Sequence, residues 1–316
     1  MVSYIIRRTL MAIPLLLGIT IISFAIIQMA PGDPAAMLMD PNISPKDREV
    51  VMEKYGLNDP VHIQYFKWLG NMVQGDFGDS IVFKGRDVSE LIMNRLPNTL
   101  LLMIVSTLLA IVIAIPFGII SAIRPYSKID YTVTVTSFLG LATPSFWFGL
   151  LLIMIFSVHL HWFPASGTQT LNMPFSLWDR IHHLIMPAFV LATADMAGLT
   201  RYTRSSMLEV VQQDYMRTAR AKGFKEGKVI FKHGLRNGLI PVITIFGLML
   251  PSFIGGAVVV EQVFGWPGLG KLFIDAAFQR DFPIVMALTV ISSVLVIIGN
   301  LVADILYAVF DPRIEY

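Results

Sequence analysis

Long apolar blocks alternate with short polar ones along this chain, and the length of the blocks decides its class. Uncharged stretches at residues 9–30, 98–122, 132–158, 237–260 and 282–303 each reach the roughly 20 residues that a helix needs to cross a hydrocarbon core about 30 Å thick. A sixth block, 184–200, is shorter and holds Asp195. Counting it keeps the basic segment that follows on the same side as the other basic loops. The pattern therefore predicts an all-α, polytopic integral membrane protein with six transmembrane helices. Arg7 and Arg8 precede the first block as in a signal peptide, but the block is longer than an h-region of 7–15 residues. It ends in Met29-Ala30-Pro31-Gly32-Asp33-Pro34 with no small-residue cleavage site, so a retained span is expected.

Charge sets the orientation. Lys and Arg concentrate on the cytoplasmic side of membrane proteins. Here they lie at Arg7 and Arg8, at Arg124 and Lys128, and densely through 201–236, where Arg201, Arg204, Arg217, Arg220, Lys222, Lys225, Lys228, Lys232 and Arg236 face Glu209, Asp214 and Glu226. Both termini and this loop are expected in the cytoplasm. Residues 31–97, where acidic residues outnumber basic ones, fall outside with loops near 159–183 and 261–281. The organisation predicted is a tail and first helix over 1–30, an extracytoplasmic helical segment over 31–97, and a core of five spans over 98–316.

The outer segment has helix signals of its own. Ser44 and Pro45 open a helix that Gly56 closes, and Asp59 with Pro60 opens a second, in which Val61, Tyr65, Trp68, Leu69 and Met72 share a face. Asp87 caps a third, expected to end before Pro97. The plain reading is a small helical cap packed on the spans.

Composition agrees. Only 15% of residues are charged and 55% are hydrophobic, with mean hydropathy +0.66, against about a quarter charged in soluble domains. A net charge of +2 gives no footprint for nucleic acid. The absence of cysteine excludes disulfides and thiolate metal sites.

The loop 201–236 is the most informative stretch. Ser205 to Lys222 keeps helix formers, with Met207, Val210, Val211, Asp214, Thr218 and Ala221 at helical spacing, and Gly223 stands where a left-handed residue ends a helix. Small Ala219 and Ala221 beside long Arg220 and Lys222 give a surface that can be approached closely. A second short helix follows over 226–235. On composition alone this is equally a basic juxtamembrane helix resting on anionic lipid or a docking element for a protein.

The runs Asp214-Tyr215-Met216-Arg217-Thr218-Ala219-Arg220-Ala221-Lys222-Gly223 and His233-Gly234-Leu235-Arg236-Asn237-Gly238-Leu239-Ile240-Pro241 together resemble the cytoplasmic signature of bacterial ABC importer permeases. Arg217-Thr218-Ala219 stands where many members have Glu-Ala-Ala, a departure shared by the branch serving oligopeptides, dipeptides, nickel and glutathione. The resemblance runs through Arg7-Arg8, Phe146-Trp147 with Gly149, Gly255 to Glu261, Phe264, Pro267-Gly268-Leu269-Gly270, Arg280-Asp281, Asn300-Leu301 with Asp304, and Asp311-Pro312-Arg313.

This resemblance implies the type I importer permease architecture in the bacterial plasma membrane. It implies a homologous second permease, two cytoplasmic ATPase subunits, an extracytoplasmic solute-binding protein and surrounding lipid as partners. Asp214, Arg217, Thr218, Ala219, Arg220, Lys222 and Gly223 would couple to the ATPase. Glu261, Phe264, Pro267, Gly268 and Gly270 are candidates for an outer gate, and Phe146, Trp147, Met154 and Met249 for the lining of the path. No catalytic residue, resident cofactor or metal is implied; ATP and Mg²⁺ belong to the partners. Peptides are the expected cargo. The rival within the branch is a nickel-complex or glutathione importer, and the rival outside it an ion-coupled secondary transporter.

Three other signals are set aside. Gly265-Trp266-Pro267-Gly268-Leu269-Gly270-Lys271 fits the start of a phosphate-binding loop but has Leu272 where a hydroxyl is needed, and no strand precedes it. His159, His161, His182 and His183 lack the same-face spacing of a helical zinc motif. Asp195 and Asp304 would suit proton coupling, but midplane carboxylate pairs and inverted repeats are not evident. Pro14, Pro116, Pro144, Pro187, Pro241 and Pro251 interrupt the spans, as in a bundle packed around a path.

Overall fold

The computed structural model describes residues 2–29, 58–83, 85–239, 242 and 257–310. Among these no strand occurs, only an isolated antiparallel bridge between Asp79 and Asp87. The helices are α1 (Val2–Met29), α2 (Val61–Val73), α3 (Val88–Ile123), α4 (Lys128–Ala142), α5 (Ser145–Leu152), α6 (Leu177–Val211), α7 (Asp214–Ala221), α8 (Leu269–Phe278) and α9 (Phe282–Phe310). A π-helical stretch, Ile153–His159, prolongs α5. Another, Val229–Gly234, links the helical turns Glu226–Lys228 and Leu235–Gly238.

Four of these helices, α1, α3, α6 and α9, are long and apolar enough to cross a membrane. The third predicted span is a pair: α4 and α5 with its extension are bent by 107° at Thr143 and Pro144, and they make a fifth crossing if they form one span. The bend sits where the ring of Pro144 disfavours helical geometry at the residue before it, and Thr143 is extended there, with ψ 121. The fifth predicted span, 237–260, lies largely outside the described residues, as do Met249, the helix opened by Ser44, and Asp311 to Arg313.

Two compact units are distinguished: Ile6–Pro97 with Leu272–Val294, and Asn98–Lys271 with Met1–Ile5 and Leu295–Tyr316. In the first, Tyr65 and Trp68 of α2 lie against Phe24 of α1, with ring centroids 5.5 and 6.3 Å away, and the Tyr65 hydroxyl meets that of Thr20 at 3.0 Å. The amphipathic face of α2 thus rests on a neighbouring helix. Asp59 does not cap α2; its carboxylate holds Lys67 at 2.6 Å, while Pro60 precedes the first turn without a side-chain cap. Asp87 does cap α3, accepting from the Ser89 N–H at 2.7 Å. That helix then runs on through Pro97 instead of ending before it. Proline removes one backbone donor, and the residues just after it, Asn98 and Thr99, are fixed by hydrogen bonds of their own.

In the second unit α6 is the central helix. Ser176 caps it, and Leu184, Met186, Ala188, Val190 and Leu191 pack in one core with Leu102, Leu152, Phe264 and Trp266. At Gly118 of α3 the approach to α6 is so close that a Cβ would lie 2.6 Å from the Thr203 Cβ.

Candidate functional site

The segment after α6 is held by short-range chemistry. The helix expected from Ser205 to Lys222 is broken: α6 stops at Val211, Gln213 is extended, and α7 starts at Asp214. An acidic residue in the first turn favours this restart. Gly223, at φ +76, follows the end of α7 in the left-handed region, and its N–H returns to the Arg220 carbonyl at 2.9 Å.

Of the coupling candidates, Asp214, Arg217, Thr218, Lys222 and Gly223 are exposed. Ala219 is not: with Met216 and Val229 it forms a small core against Val211. It therefore offers no surface to a partner but fastens α7 to the segments on either side. Arg220 has a similar inward role. Its guanidinium donates to both Glu226 oxygens, the shortest contact 2.8 Å, and reaches the Val211 carbonyl at 3.4 Å. It braces the end of α6, the end of α7 and the turn at Glu226 against one another. Hydrogen bonding to Arg220 lowers the Glu226 pKa, and the same bond raises that of Arg220.

The outer-gate candidates also converge. Glu261 is fully buried. The Thr99 hydroxyl donates to its Oε1 at 2.6 Å and the Lys271 N–H to its Oε2 at 2.9 Å. Thr99 in turn accepts from the Leu269 N–H at 2.8 Å. The carboxylate thus occupies the N-terminal end of α8, where free N–H groups favour an anion. A Cβ at Gly268 would overlap that carboxylate, and one at Gly270 would lie 2.5 Å from the Val258 Cα. This accounts for the likeness to a phosphate-binding loop: the anion position is filled by the chain's own glutamate. Pro267 is tied in through its carbonyl, which accepts from Asn98 at 2.9 Å. Trp266 donates to the Asn98 carbonyl at 3.0 Å, and Arg180 donates to the Asn98 side chain at 2.6 Å. Phe264 is buried near Gly149 of α5.

Phe146, Trp147 and Met154 are exposed on α5 and its extension, whereas Gly149 and Leu152 face the core. The His182 ring lies on Phe163 at 4.9 Å, and His183 Nδ1 meets the Asp179 carbonyl at 2.9 Å. The partnership of Asn98, Thr99 and Arg180 with the loop before α8 leaves no local pattern in the sequence, because these contacts join residues some 80 to 170 positions apart.

Residues 114–316 match the family described as binding-protein-dependent transport system inner membrane component, and residues 1–103 match its N-terminal region family. The chain is 74% identical over 316 residues to the oligopeptide transport system permease protein AppB of Bacillus subtilis, covering all of both chains. It is 40% identical to the glutathione transport system permease protein GsiC of Escherichia coli, again covering all of both. Identity to the di/tripeptide transport system permease protein DppB of Pseudomonas aeruginosa is 39%, covering all of this chain and 99% of that one. Among solved structures, an inward-facing MetNI methionine ABC transporter chain aligns with TM-score 0.54 at 17% identity, over 70% of this chain and 96% of that one; at that identity the likeness concerns the fold.

Proposed function

The chain belongs to the family of binding-protein-dependent transport system inner membrane components, and from that premise we propose that it is the permease subunit of an ATP-driven oligopeptide importer. The observation that carries the reading is the full-length 74% identity to an oligopeptide permease, well above the 39–40% shared with the dipeptide and glutathione permeases.

In this reading the chain crosses the membrane six times with both termini in the cytoplasm, and it forms half of the path with a homologous permease. Two ATPase subunits bind inside and a solute-binding protein docks outside. The chain makes and breaks no covalent bond. The exposed face of α7, with Asp214, Arg217, Thr218 and Lys222, meets the ATPase, while Ala219 and Arg220 fasten that helix to α6. A push on α7 then becomes a movement of α6 and not a local bend. The loop locked by Glu261, Phe264, Pro267, Gly268 and Gly270 serves the outer gate, and Phe146, Trp147 and Met154 face the path.

The test is to purify the assembled complex with its binding protein and identify the bound cargo by mass spectrometry. Peptides of several residues are expected. Glutathione or a nickel chelate as the sole cargo would overturn the assignment.

A further inference from the structure

A charge pair with a buried carboxylate and a part-buried guanidinium joins α4 to α6. Asp130, in the first turn of α4, is 3% exposed. Arg204 of α6 donates to its Oδ1 from Nε at 2.6 Å and to its Oδ2 from Nη2 at 2.8 Å. Ser121, fully buried on α3, donates to Oδ1, and the Tyr126 N–H donates to Oδ2 at 2.9 Å. Each carboxylate oxygen therefore accepts two hydrogen bonds, which uses the full capacity of the group. Tyr126 takes a left-handed φ of 61 to aim its N–H there, a conformation unfavourable for a residue with a Cβ.

A buried ion pair is a poor means of stabilising a fold, since well-packed apolar residues often do as well or better. A two-pronged Arg–carboxylate contact does fix direction and distance. This one joins three helices at one point: the end of α3, the start of α4 and α6, two turns before α6 ends at Val211. From there to its end α6 is tightly seated. Met207 packs with Ile119, Ala122 and Ile230, Ser206 donates to the Gly238 carbonyl at 2.7 Å, and Val211 enters the core that holds α7. Displacement of α7 thus reaches Arg204 with little slack, and through Arg204 the start of α4.

We propose that Asp130, Ser121 and Arg204 form the joint that passes motion of α7 through α6 into the bent α4–α5 pair, with Asp130 and Arg204 as positioning residues for coupled transport. The proposal rests on the importer reading given above. The direction of transfer follows from the geometry: α4 leads through the bend to Phe146 and Trp147, so a rotation at Asp130 re-aims that exposed face.

The test uses the complete complex in proteoliposomes and reads peptide imported per ATP hydrolysed, normalised to assembled complex. R204K keeps the charge but loses the fork, and D130N keeps the shape but loses the charge. Each is expected to lower the ratio at least tenfold, and S121A by two- to threefold. A purely structural pair would reduce the amount of complex and leave the ratio alone. A wild-type ratio in both R204K and D130N, or failure of both to assemble, would overturn the proposal. If the wild-type complex imports no peptide with ATP, it is the importer reading that fails.

Discussion

Replacing Gly268 by alanine tests the packing of the loop before α8 most sharply. The added methyl would occupy the position of the Glu261 carboxylate, so that carboxylate has to leave the Thr99 hydroxyl and the Lys271 N–H. Hydrogen bonds to a charged group are worth about 1.5–3 kcal/mol each, and a buried charge deprived of its partners costs about 3–5 kcal/mol. Because Glu261 is fully buried, the loss expected is about 3–5 kcal/mol. At about 2–4 °C per kcal/mol this lowers the melting temperature by on the order of 10 °C. Gly270→Ala should cost at least as much, because its methyl meets the Val258 backbone and not the end of a side chain. Gly227→Ala is the control: nothing lies within 4 Å of its Cβ position, and alanine should be neutral or stabilising by up to about 1 kcal/mol. Thermal unfolding in detergent, followed by tryptophan fluorescence, reports this locally because Trp266 is buried in the same network. Gly268→Ala melting with the wild type, or Gly227→Ala melting below it, would rule out the steric conflict at Glu261 as the cause.

Gly223→Asp should leave the protein in the membrane yet abolish transport-linked ATP hydrolysis, since it puts a side chain and a negative charge on the exposed turn after α7; an ATPase assay on purified complex decides it. The Arg220–Glu226 brace predicts a pH effect of definite sign. Arg220 depresses the folded-state pKa of Glu226 below its ordinary 4.5, so the contribution is complete above that value and fades as pH falls through the lowered one. Amide hydrogen exchange over 214–234, corrected for intrinsic rates, should show it, and Glu226→Gln should remove the dependence. Ser80→Ala should destabilise by about 1–3 kcal/mol, because the Asp281 carboxylate accepts from that hydroxyl at 2.5 Å in a buried site; restoration by Ser80→Thr would tie the loss to the hydroxyl.

What the sequence discloses follows from the range of the interactions involved. Membrane crossings depend on local hydrophobicity, so α1, α3 and α9 are visible in the apolar runs. The left-handed turn at Gly223 is equally local. The break at Gln212 and Gln213 has no such local mark, because helix propensity is high on both sides of it and Met216 and Ala219 beyond it are held by packing. The continuation of α3 through Pro97 is hidden for the same reason, a tertiary anchor overriding a local breaker. Glu261 was singled out, but its role as an internal anion depends on Thr99, far off in the chain. The Asp130 joint had one local trace: Ser127 followed three residues later by Asp130, the pattern of a helix start.

Whether ATP hydrolysed by partner subunits drives peptides through this chain is decided in proteoliposomes containing the whole complex and its binding protein. Uptake of labelled oligopeptide is expected to require ATP on the side of the ATPases and to persist when ionophores abolish the membrane potential and proton gradient. Uptake that proceeds without ATP and collapses with the ionophores would contradict it.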